Sequence, residues 1–293
     1  MQKRKPILYI LVSYGITWAC WIPAIIIAER NGFQLPNPTS VDPLFGTGVD
    51  SPLQTFASWL FNFAVYGPLI AALLVTYLEL GKQGILDLFG RVAKWRVHLK
   101  WYGVIISIAV VIALLPKLIG MLFGLTTGGL LVVGSLPAIL VLFIRQVLTS
   151  GLGEEPGWRG YLQPDLQTRY ASDKSIWILG IIWAVWHYPI TIYYTLAGIS
   201  ETPLSGIVIT ILMALLGQTI SLVGISYIYA WVYNNTKSVF IAILFHALSN
   251  LIPAILLGEA GQMLGIFTAI MPWILVFALE KIYGKESFPG RLA

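Results

Sequence analysis

Charge is what this sequence lacks most. Only 11% of its 293 residues are Asp, Glu, Lys or Arg, whereas a soluble domain contains about 25%. Hydrophobic residues make up 57% of the chain, and its mean hydropathy is +0.81. This composition excludes an ordinary soluble globular protein, a disordered chain and a nucleic-acid-binding protein. The sequence therefore predicts an all-α, polytopic membrane protein.

Cysteine is nearly absent as well. The single cysteine, Cys20, excludes an internal disulfide and a cysteine-based zinc or iron–sulfur site. Aromatic residues are abundant instead, with 11 Trp and 14 Tyr. Because these two residue types concentrate where a membrane meets water, their number is typical of a protein with two such interfaces.

Eight apolar stretches are long enough to cross the hydrocarbon core of a bilayer, which requires about 20 residues. They cover approximately residues 7–28, 54–78, 101–123, 130–153, 175–197, 204–232, 238–257 and 263–281. The sixth stretch lies within 35 uncharged residues between Glu201 and Lys237, which are too few for two spans and a turn. We predict one long, tilted or broken span there, with Gly217 and Gly224 as weak points.

The distribution of Lys and Arg gives the orientation of these spans. If the amino terminus is inside, 15 of the 18 Lys and Arg residues fall in inside segments and only Arg30 falls outside. This is the asymmetry that the positive-inside rule requires, and it predicts that both termini are cytoplasmic. Lys117 and Arg145 fall within spans, near their ends, and are expected to snorkel toward water.

Ionisable side chains inside the spans are the candidate functional residues, because each costs roughly 2.5–3.5 kcal/mol on insertion scales. His187 and His246 lie in the middle of the fifth and seventh spans. Glu154 and Glu155 close the fourth span, and Arg159 follows one helical turn later. A histidine that joins two helices, or a solvated Glu–Glu pair at a helix end, would be the simplest structural interpretation of each feature alone.

The depths of these residues favour a common site. With a rise of about 1.5 Å per residue, His187, His246 and Asn250 share one layer of the membrane. Glu154 joins that layer if the fourth helix continues about two turns past its hydropathic end. Pro156 predicts a kink or a helix restart at Glu155. Because irregular backbone survives at membrane depth only beside protein or water, we predict a cytoplasm-facing, water-accessible pocket bounded by spans four, five and seven.

The chemistry of this set points to hydrolysis with water as the nucleophile. Glu154 would act as a general base toward water, and Glu155 has the i, i+4 spacing for an ion pair with Arg159. His246 and Asn250 are polar enough to stabilise an oxyanion. Alternatively, the two membrane histidines and Glu154 would hold a divalent metal such as zinc.

Three segments carry a family resemblance. The segment from Gly153 to Leu162 contains Glu-Glu-x-x-x-Arg, the segment from Trp183 to His187 has an aromatic residue four positions before His, and the segment from His246 to Asn250 reads His-x-x-x-Asn. In this order, and on three different spans, they resemble the CPBP intramembrane proteases. That family includes type II CAAX prenyl endopeptidases and bacteriocin-processing or immunity proteins. The likeness covers roughly residues 130–260, with Trp183 at a position where Phe is commonest.

The resemblance implies an eight-helix, all-α core whose site opens to the cytoplasm. It implies roles in pairs: Glu154 with His187 to activate water, His246 with Asn250 to form the oxyanion hole, and Glu155 with Arg159 to brace the site. It leaves the metal undecided, with His187, His246 and Glu154 as the ligands if one is used. Because the sequence has no third histidine ligand and no His-Glu-x-x-His helix, we favour metal-free catalysis.

The expected organisation is an amino-terminal part and a catalytic core. Residues 1–100 would hold the first spans, an external loop at 31–53 and an amphipathic interfacial helix at 84–95 on the cytoplasmic surface. Residues 101–293 would form the CPBP-like core. We expect a multi-pass protein of a bacterial or archaeal cytoplasmic membrane that cleaves membrane-associated or lipid-modified peptides and binds no nucleic acid.

Two other functions stay open at this point. The first is a non-catalytic bacteriocin self-immunity or peptide-binding membrane protein that shares the fold without turnover. The second is a proton-coupled transporter that uses Glu154, His187 and His246 as a relay. The sequence shows neither repeated halves nor paired broken helices, which are common in transporters, so the transporter is the less favoured alternative.

Overall fold

The computed structural model describes residues 5–36, 51–124, 135–199, 203–257 and 264–284, and within these ranges it contains helices and no strand. Seven helices of the described ranges are long and apolar enough to cross a membrane. The predicted all-α, polytopic membrane fold is therefore confirmed. Much of the predicted external loop and both chain ends lie outside the described residues, so the cytoplasmic position of the termini stays a prediction.

The described ranges contain eleven α-helical segments. In chain order they are α1 (Pro6–Asn31), α2 (Pro52–Phe63), α3 (Gly67–Val92), α4 (Lys100–Leu122), α5 (Leu136–Gln146), α6 (Leu152–Gly157), α7 (Gln163–Arg169), α8 (Ser172–Ala197), α9 (Leu204–Thr236), α10 (Val239–Leu257) and α11 (Leu264–Tyr283). A 3₁₀ turn joins α2 to α3. Two π-helical segments, Val147–Gly151 and Trp158–Leu162, join α5, α6 and α7 into one continuous helix. We call this helix, Leu136–Arg169, the motif helix.

Apart from single residues at span ends, the described residues of each predicted span are helical, and the second span covers α2, the 3₁₀ turn and the first part of α3. The sixth is α9, a single helix of 33 residues, so the predicted weak points at Gly217 and Gly224 do not interrupt it. At about 1.5 Å per residue, α9 is about 50 Å long, whereas the hydrocarbon core is roughly 30 Å thick. The eighth predicted span coincides with α11, and its crossing of the membrane stays a prediction.

The motif helix continues well past the hydropathic end of the fourth span, as the site requires. It runs to Arg169, and Glu155 lies inside the helical segment α6. The helix does not restart at Glu155, so that part of the prediction is wrong, whereas a kink there stays a prediction. The backbone adjusts on both sides of Pro156, in the two π-helical segments. Such segments widen the helix locally and occur frequently at functional sites.

Glycines beside the acidic pair let the motif helix approach its neighbours closely. A Cβ atom on Gly153 would lie 2.7 Å from the carbonyl oxygen of Val65, and one on Gly157 would lie 2.6 Å from that of Pro68. On another side, a Cβ atom on Gly151 would lie 2.9 Å from a backbone oxygen of α10. These contacts hold the acidic pair between the α3 region and α10.

The carboxyl-terminal part of α3 forms a separate helical segment. Gly81 has φ 61° and ψ −155°, a conformation that essentially only glycine adopts, and it separates this segment from the spanning part. In the segment, Leu88 is buried, while Ile85 and Val92 on the same face are half-buried. The segment matches most of the predicted interfacial helix at 84–95, whose position on the cytoplasmic surface stays a prediction.

Lys117 corrects a prediction about charged residues near the span ends. Its side chain is only 3% exposed, and its Nζ atom donates a hydrogen bond to the carbonyl oxygen of Leu256 at 2.7 Å. The last carbonyl groups of a helix lack intrahelical partners, and positive charge is favourable beside them. Lys117 therefore caps the end of α10 instead of snorkelling.

Candidate active site

The acidic pair is buried in the protein, and its two members face different helices. Glu154 is 3% exposed and Glu155 is fully buried. Because successive residues of a helix point about 100° apart, one carboxylate reaches α8 and the other reaches α10. The Oε2 atom of Glu154 accepts hydrogen bonds from the Trp183 indole at 2.7 Å and from the Trp158 indole at 3.4 Å.

Glu155 connects an arginine and a histidine. Its Oε2 atom lies 3.2 Å from Nη1 of Arg159, one turn along the same helix. Its Oε1 atom accepts a hydrogen bond from Nδ1 of His246 at 2.7 Å. The predicted i, i+4 ion pair is therefore present, and the structure adds that the same carboxylate also orients His246.

Arg159 lies between two aromatic rings. Its guanidinium carbon is 4.3 Å from the ring centre of Trp183 and 4.1 Å from that of Tyr229, which are favourable cation–π distances. Within the described part of the chain, its Nε and Nη2 atoms have no hydrogen-bond partner. Arg159, which the sequence places among the inside cations, is fully buried, and the side of the membrane on which it lies stays a prediction.

His246 faces Glu154 through its second ring nitrogen. Since Nδ1 of His246 donates to Glu155, the other ring nitrogen, Nε2, is directed toward Glu154 and lies 3.9 Å from its Oε1 atom. Two polar atoms at this separation can both hydrogen-bond to one water about 2.8 Å from each. The arrangement therefore places a carboxylate and an imidazole on either side of a site suited to water.

His187 is attached to the same network through Trp183. Its Nδ1 atom bonds to the carbonyl oxygen of Trp183 at 2.8 Å, and its ring packs edge-on against Trp186 at 4.6 Å between ring centres. Among the described residues, no hydrogen bond joins His187 directly to Glu154. Trp183 connects them, because its backbone bonds to His187 while its indole bonds to Glu154.

Asn250 is positioned by a residue that the sequence analysis missed. Its Nδ2 atom donates to Oε1 of Gln146 at 3.0 Å, and Gln146 also accepts a hydrogen bond from Ser150 at 3.1 Å. Gln146 is 1% exposed. An amide inside an apolar span, one turn before a serine, is a polarity signal in the sequence that could have identified it. The donor role of Trp183 was likewise missed, because only its aromatic ring was considered.

An apolar cavity of about 840 Å³ borders the site. His187, His246 and Asn250 line it, whereas Glu154 lies behind the lining, next to Trp183 and His246. The described lining comes from α4, α8, α9, α10 and α11. The predicted pocket bounded by spans four, five and seven is therefore right for spans five and seven and wrong for span four. Its opening to the cytoplasm stays a prediction.

The arrangement does not fit a metal centre. In the ranges that the structure describes, no three His, Cys, Asp or Glu side chains are grouped so as to hold an ion. Metal-free catalysis stays a prediction.

The fold and the site define an α-helical, multi-pass integral membrane protein with a buried Glu–Arg–His network beside an apolar cavity. Residues 134–252 match the model of the family described as type II CAAX prenyl endopeptidase Rce1-like. The protein CAAX prenyl protease 2 of Methanococcus maripaludis is 31% identical over 156 residues, which cover 52% of this chain and 52% of that protein. Both matches confirm the predicted resemblance to the CPBP family, and the family-model match contains all three motifs.

The similarity is limited to part of each chain. The chain spans about half the length of the curated relative that it matches. The family match begins at residue 134, two residues before α5, and ends at residue 252, inside α10. It therefore covers the motif helix and the two other helices that carry the predicted site residues. The division into an amino-terminal part, 1–100, and a catalytic core, 101–293, stays a prediction.

Proposed function

We propose that this protein is an intramembrane endopeptidase that hydrolyses membrane-associated or lipid-modified peptides of the CAAX type. One observation carries the proposal: Oε1 of Glu154 and Nε2 of His246 lie 3.9 Å apart, beside a cavity that His246 lines. A water bound by both atoms would meet a peptide lying in that cavity. The name of the archaeal relative, a CAAX prenyl protease, supports the same chemistry.

In the proposed reaction, Glu154 is the general base. Its carboxylate, held by the Trp183 indole, takes a proton from water while the water oxygen attacks the scissile carbonyl. The carbon–nitrogen bond then breaks, and Glu154 returns the proton to the departing amine. His187, which lines the cavity, assists in binding the water.

Asn250 and His246 stabilise the developing oxyanion. An asparagine amide has two N–H donors, and Asn250 uses one of them toward Gln146, so the other is available for the substrate oxygen. His246 contributes from the same helix in its doubly protonated form, in which Nδ1–H donates to Glu155 and Nε2–H donates to the oxyanion. Since Glu155 bonds to both Arg159 and His246, these contacts hold the imidazole in place, and preorganised donors of this kind are effective in sites without bulk water.

The apolar cavity supports this substrate class. Most of its lining side chains on α4, α9 and α11 are apolar, so a hydrophobic peptide segment or an attached lipid chain gains free energy by leaving water. A peptide that is already held at a bilayer satisfies this condition.

The test is a comparison of protein termini in membranes of cells that express the wild type, Glu154→Gln or Glu79→Gln at equal levels. Glu79 is a matched control, because it is a buried acid in another span and a glutamine oxygen can replace its acceptor role toward Tyr161. We expect new termini with the wild type and Glu79→Gln and none with Glu154→Gln. Identical termini in all three would support a non-catalytic immunity protein instead, if the cells are still protected against a bacteriocin peptide.

A further inference from the structure

The cavity contains an amide that the proposed reaction does not use. Gln218 of α9 lines the cavity and is half-buried. Ile225 and Tyr229, two and three turns further along α9, also line it, so these residues share one face of the helix. Since an unpartnered amide in apolar surroundings is unfavourable, a glutamine at this position requires polar partners.

Thr191 of α8 supplies one of those partners. Its hydroxyl lies within hydrogen-bonding distance of Oε1 of Gln218, and it is also 3.1 Å from the carbonyl oxygen of His187. A hydroxyl group has a single hydrogen to donate. When it donates to His187, the amide of Gln218 must turn and present an N–H group to the hydroxyl oxygen.

In either orientation, one end of the Gln218 amide is bonded to Thr191 and the other end remains for a ligand. Among the described residues, Thr191 is the one hydrogen-bond partner that the Gln218 amide has. A lipid chain offers neither donor nor acceptor to the free end. A peptide group offers both, so it matches the amide whichever way Thr191 turns it.

The position of Thr191 along α8 shows how far the Gln218 amide lies from the proposed reaction centre. Thr191 is one turn beyond His187 on α8, about 6 Å along the helix axis. An extended peptide advances about 3.3–3.6 Å per residue. A peptide whose scissile carbonyl lies beside His187 and His246 therefore brings a peptide group to Gln218 about two residues away.

We propose that Gln218 is a substrate-binding residue that hydrogen-bonds a backbone peptide group about two residues from the scissile bond, with Thr191 as its positioning residue. This inference rests on the proposed peptidase function and adds a contact to the substrate backbone. It predicts that the enzyme recognises the main chain at this point, independently of the side chain there.

The experiment uses the purified full chain in liposomes with a hydrophobic CAAX-type peptide and with analogues in which single amide bonds are replaced by esters. Gln218→Met preserves the side-chain length and removes both polar groups, and Thr191→Val removes the hydroxyl. The control is Thr210→Val on an exposed turn of α9, whose hydroxyl bonds only within the helix. We expect Gln218→Met to raise KM about tenfold, as for one lost hydrogen bond, with kcat nearly unchanged.

The ester analogues test the contact without relying on the variant's folding. In the wild type, one ester near the scissile bond is expected to raise KM, and in Gln218→Met the same ester should add nothing further. An equal KM for Gln218→Met and the wild type would overturn the proposal. The proposal would also be overturned if every ester analogue raised the wild-type KM equally. In that case no single peptide group would be recognised, and the shape of the cavity alone would explain the change.

A binding measurement separates this inference from the proposed function. The Kd of the fluorescently labelled peptide is compared between Glu154→Gln and Glu154→Gln/Gln218→Met, neither of which needs to turn over. About tenfold weaker binding in the double variant supports the contact even if the wild type cleaves no peptide. Equal Kd values contradict it, even if the wild type proves to be a peptidase.

Discussion

Nδ1 of His246 lies 2.7 Å from Oε1 of Glu155, and this contact joins the motif helix to α10 at the centre of the site. It directs the other ring nitrogen of His246 toward Glu154. The same Glu155 carboxylate forms the ion pair with Arg159. The second acid of the pair therefore organises the site, while Glu154 faces the position proposed for water.

Loss of the Glu155 charge should destabilise the protein strongly. Glu155→Gln leaves Arg159 buried without its counter-charge, and removing one partner of a buried pair costs about 3–5 kcal/mol. A matched control is Asp165→Asn, which breaks another i, i+4 pair of the motif helix whose Arg169 side chain is 38% exposed. Because water reaches Arg169, although Asp165 itself is only 2% exposed, we expect this pair to contribute less than the fully buried pair.

Thermal unfolding of the purified variants in detergent checks this difference. We expect a much lower Tm for Glu155→Gln than for Asp165→Asn. Similar Tm values for the two variants would show that the buried pair stabilises the protein no more than the pair between Asp165 and Arg169.

Arg159→Lys should impair catalysis although the charge is kept. A lysine ammonium cannot reproduce a planar guanidinium stacked between Trp183 and Tyr229. We expect peptide cleavage to fall by about tenfold or more, as for a loss of at least 1.4 kcal/mol, while the variant still inserts into membranes. The measurement is peptide cleavage per inserted molecule. Unchanged activity would show that catalysis does not need the guanidinium group of Arg159.

The indole of Trp183 should contribute to the rate through Glu154. Trp183→Phe keeps an aromatic ring beside Arg159 but removes the donor to Oε2 of Glu154. A hydrogen bond to a charged group contributes about 1.5–3 kcal/mol, so we expect kcat to fall by about tenfold or more and KM to change little. Trp273→Phe, which loses an indole bond to a backbone carbonyl, is the control. Equal kcat values for the two variants would exclude this role.

Close helix packing around the acidic pair should make Gly157 intolerant of a side chain. A Cβ atom there would collide with the Tyr9 hydroxyl and lie 2.6 Å from the carbonyl oxygen of Pro68. Overpacking of this kind typically costs about 1–3 kcal/mol. Gly103 of α4 has no neighbouring atom within 4 Å of the same position. We expect Gly157→Ala to lower Tm and Gly103→Ala to maintain or raise it, because Ala favours helix. The reverse order would contradict the packing described.

The sequence was sufficient to predict the helices and to single out four side chains that the structure brings together, Glu154, Glu155, Arg159 and His246. Apolar stretches located the spans, and the i, i+4 spacing predicted the ion pair between Glu155 and Arg159. Contacts between helices could not be predicted in the same way. The bonds from Trp183 to Glu154 and from Asn250 to Gln146 depend on how helices cross, and no spacing along the chain encodes that.

Hydropathy also could not separate apolar residues that face outward from those that are buried. In the most apolar 18-residue stretch of each helix, only 6% of the residues of α9 are buried, against 50% of those of α10. The mean hydropathy of both stretches is 2.2. The assignment of the cavity walls to α4, α9 and α11 therefore required the structure. The burial of Lys117 was missed for a related reason, since the free carbonyl group of Leu256 belongs to another helix.

The most direct test of the central claim is single-turnover cleavage of a CAAX-type peptide by the purified wild type, Glu154→Gln and Glu79→Gln in liposomes. The account predicts cleavage by the wild type and by Glu79→Gln. For Glu154→Gln it predicts a rate at least about 100-fold lower, the lower bound for losing a general base, with peptide binding retained. Cleavage by Glu154→Gln at the wild-type rate would contradict the assignment of Glu154 as the residue that activates water.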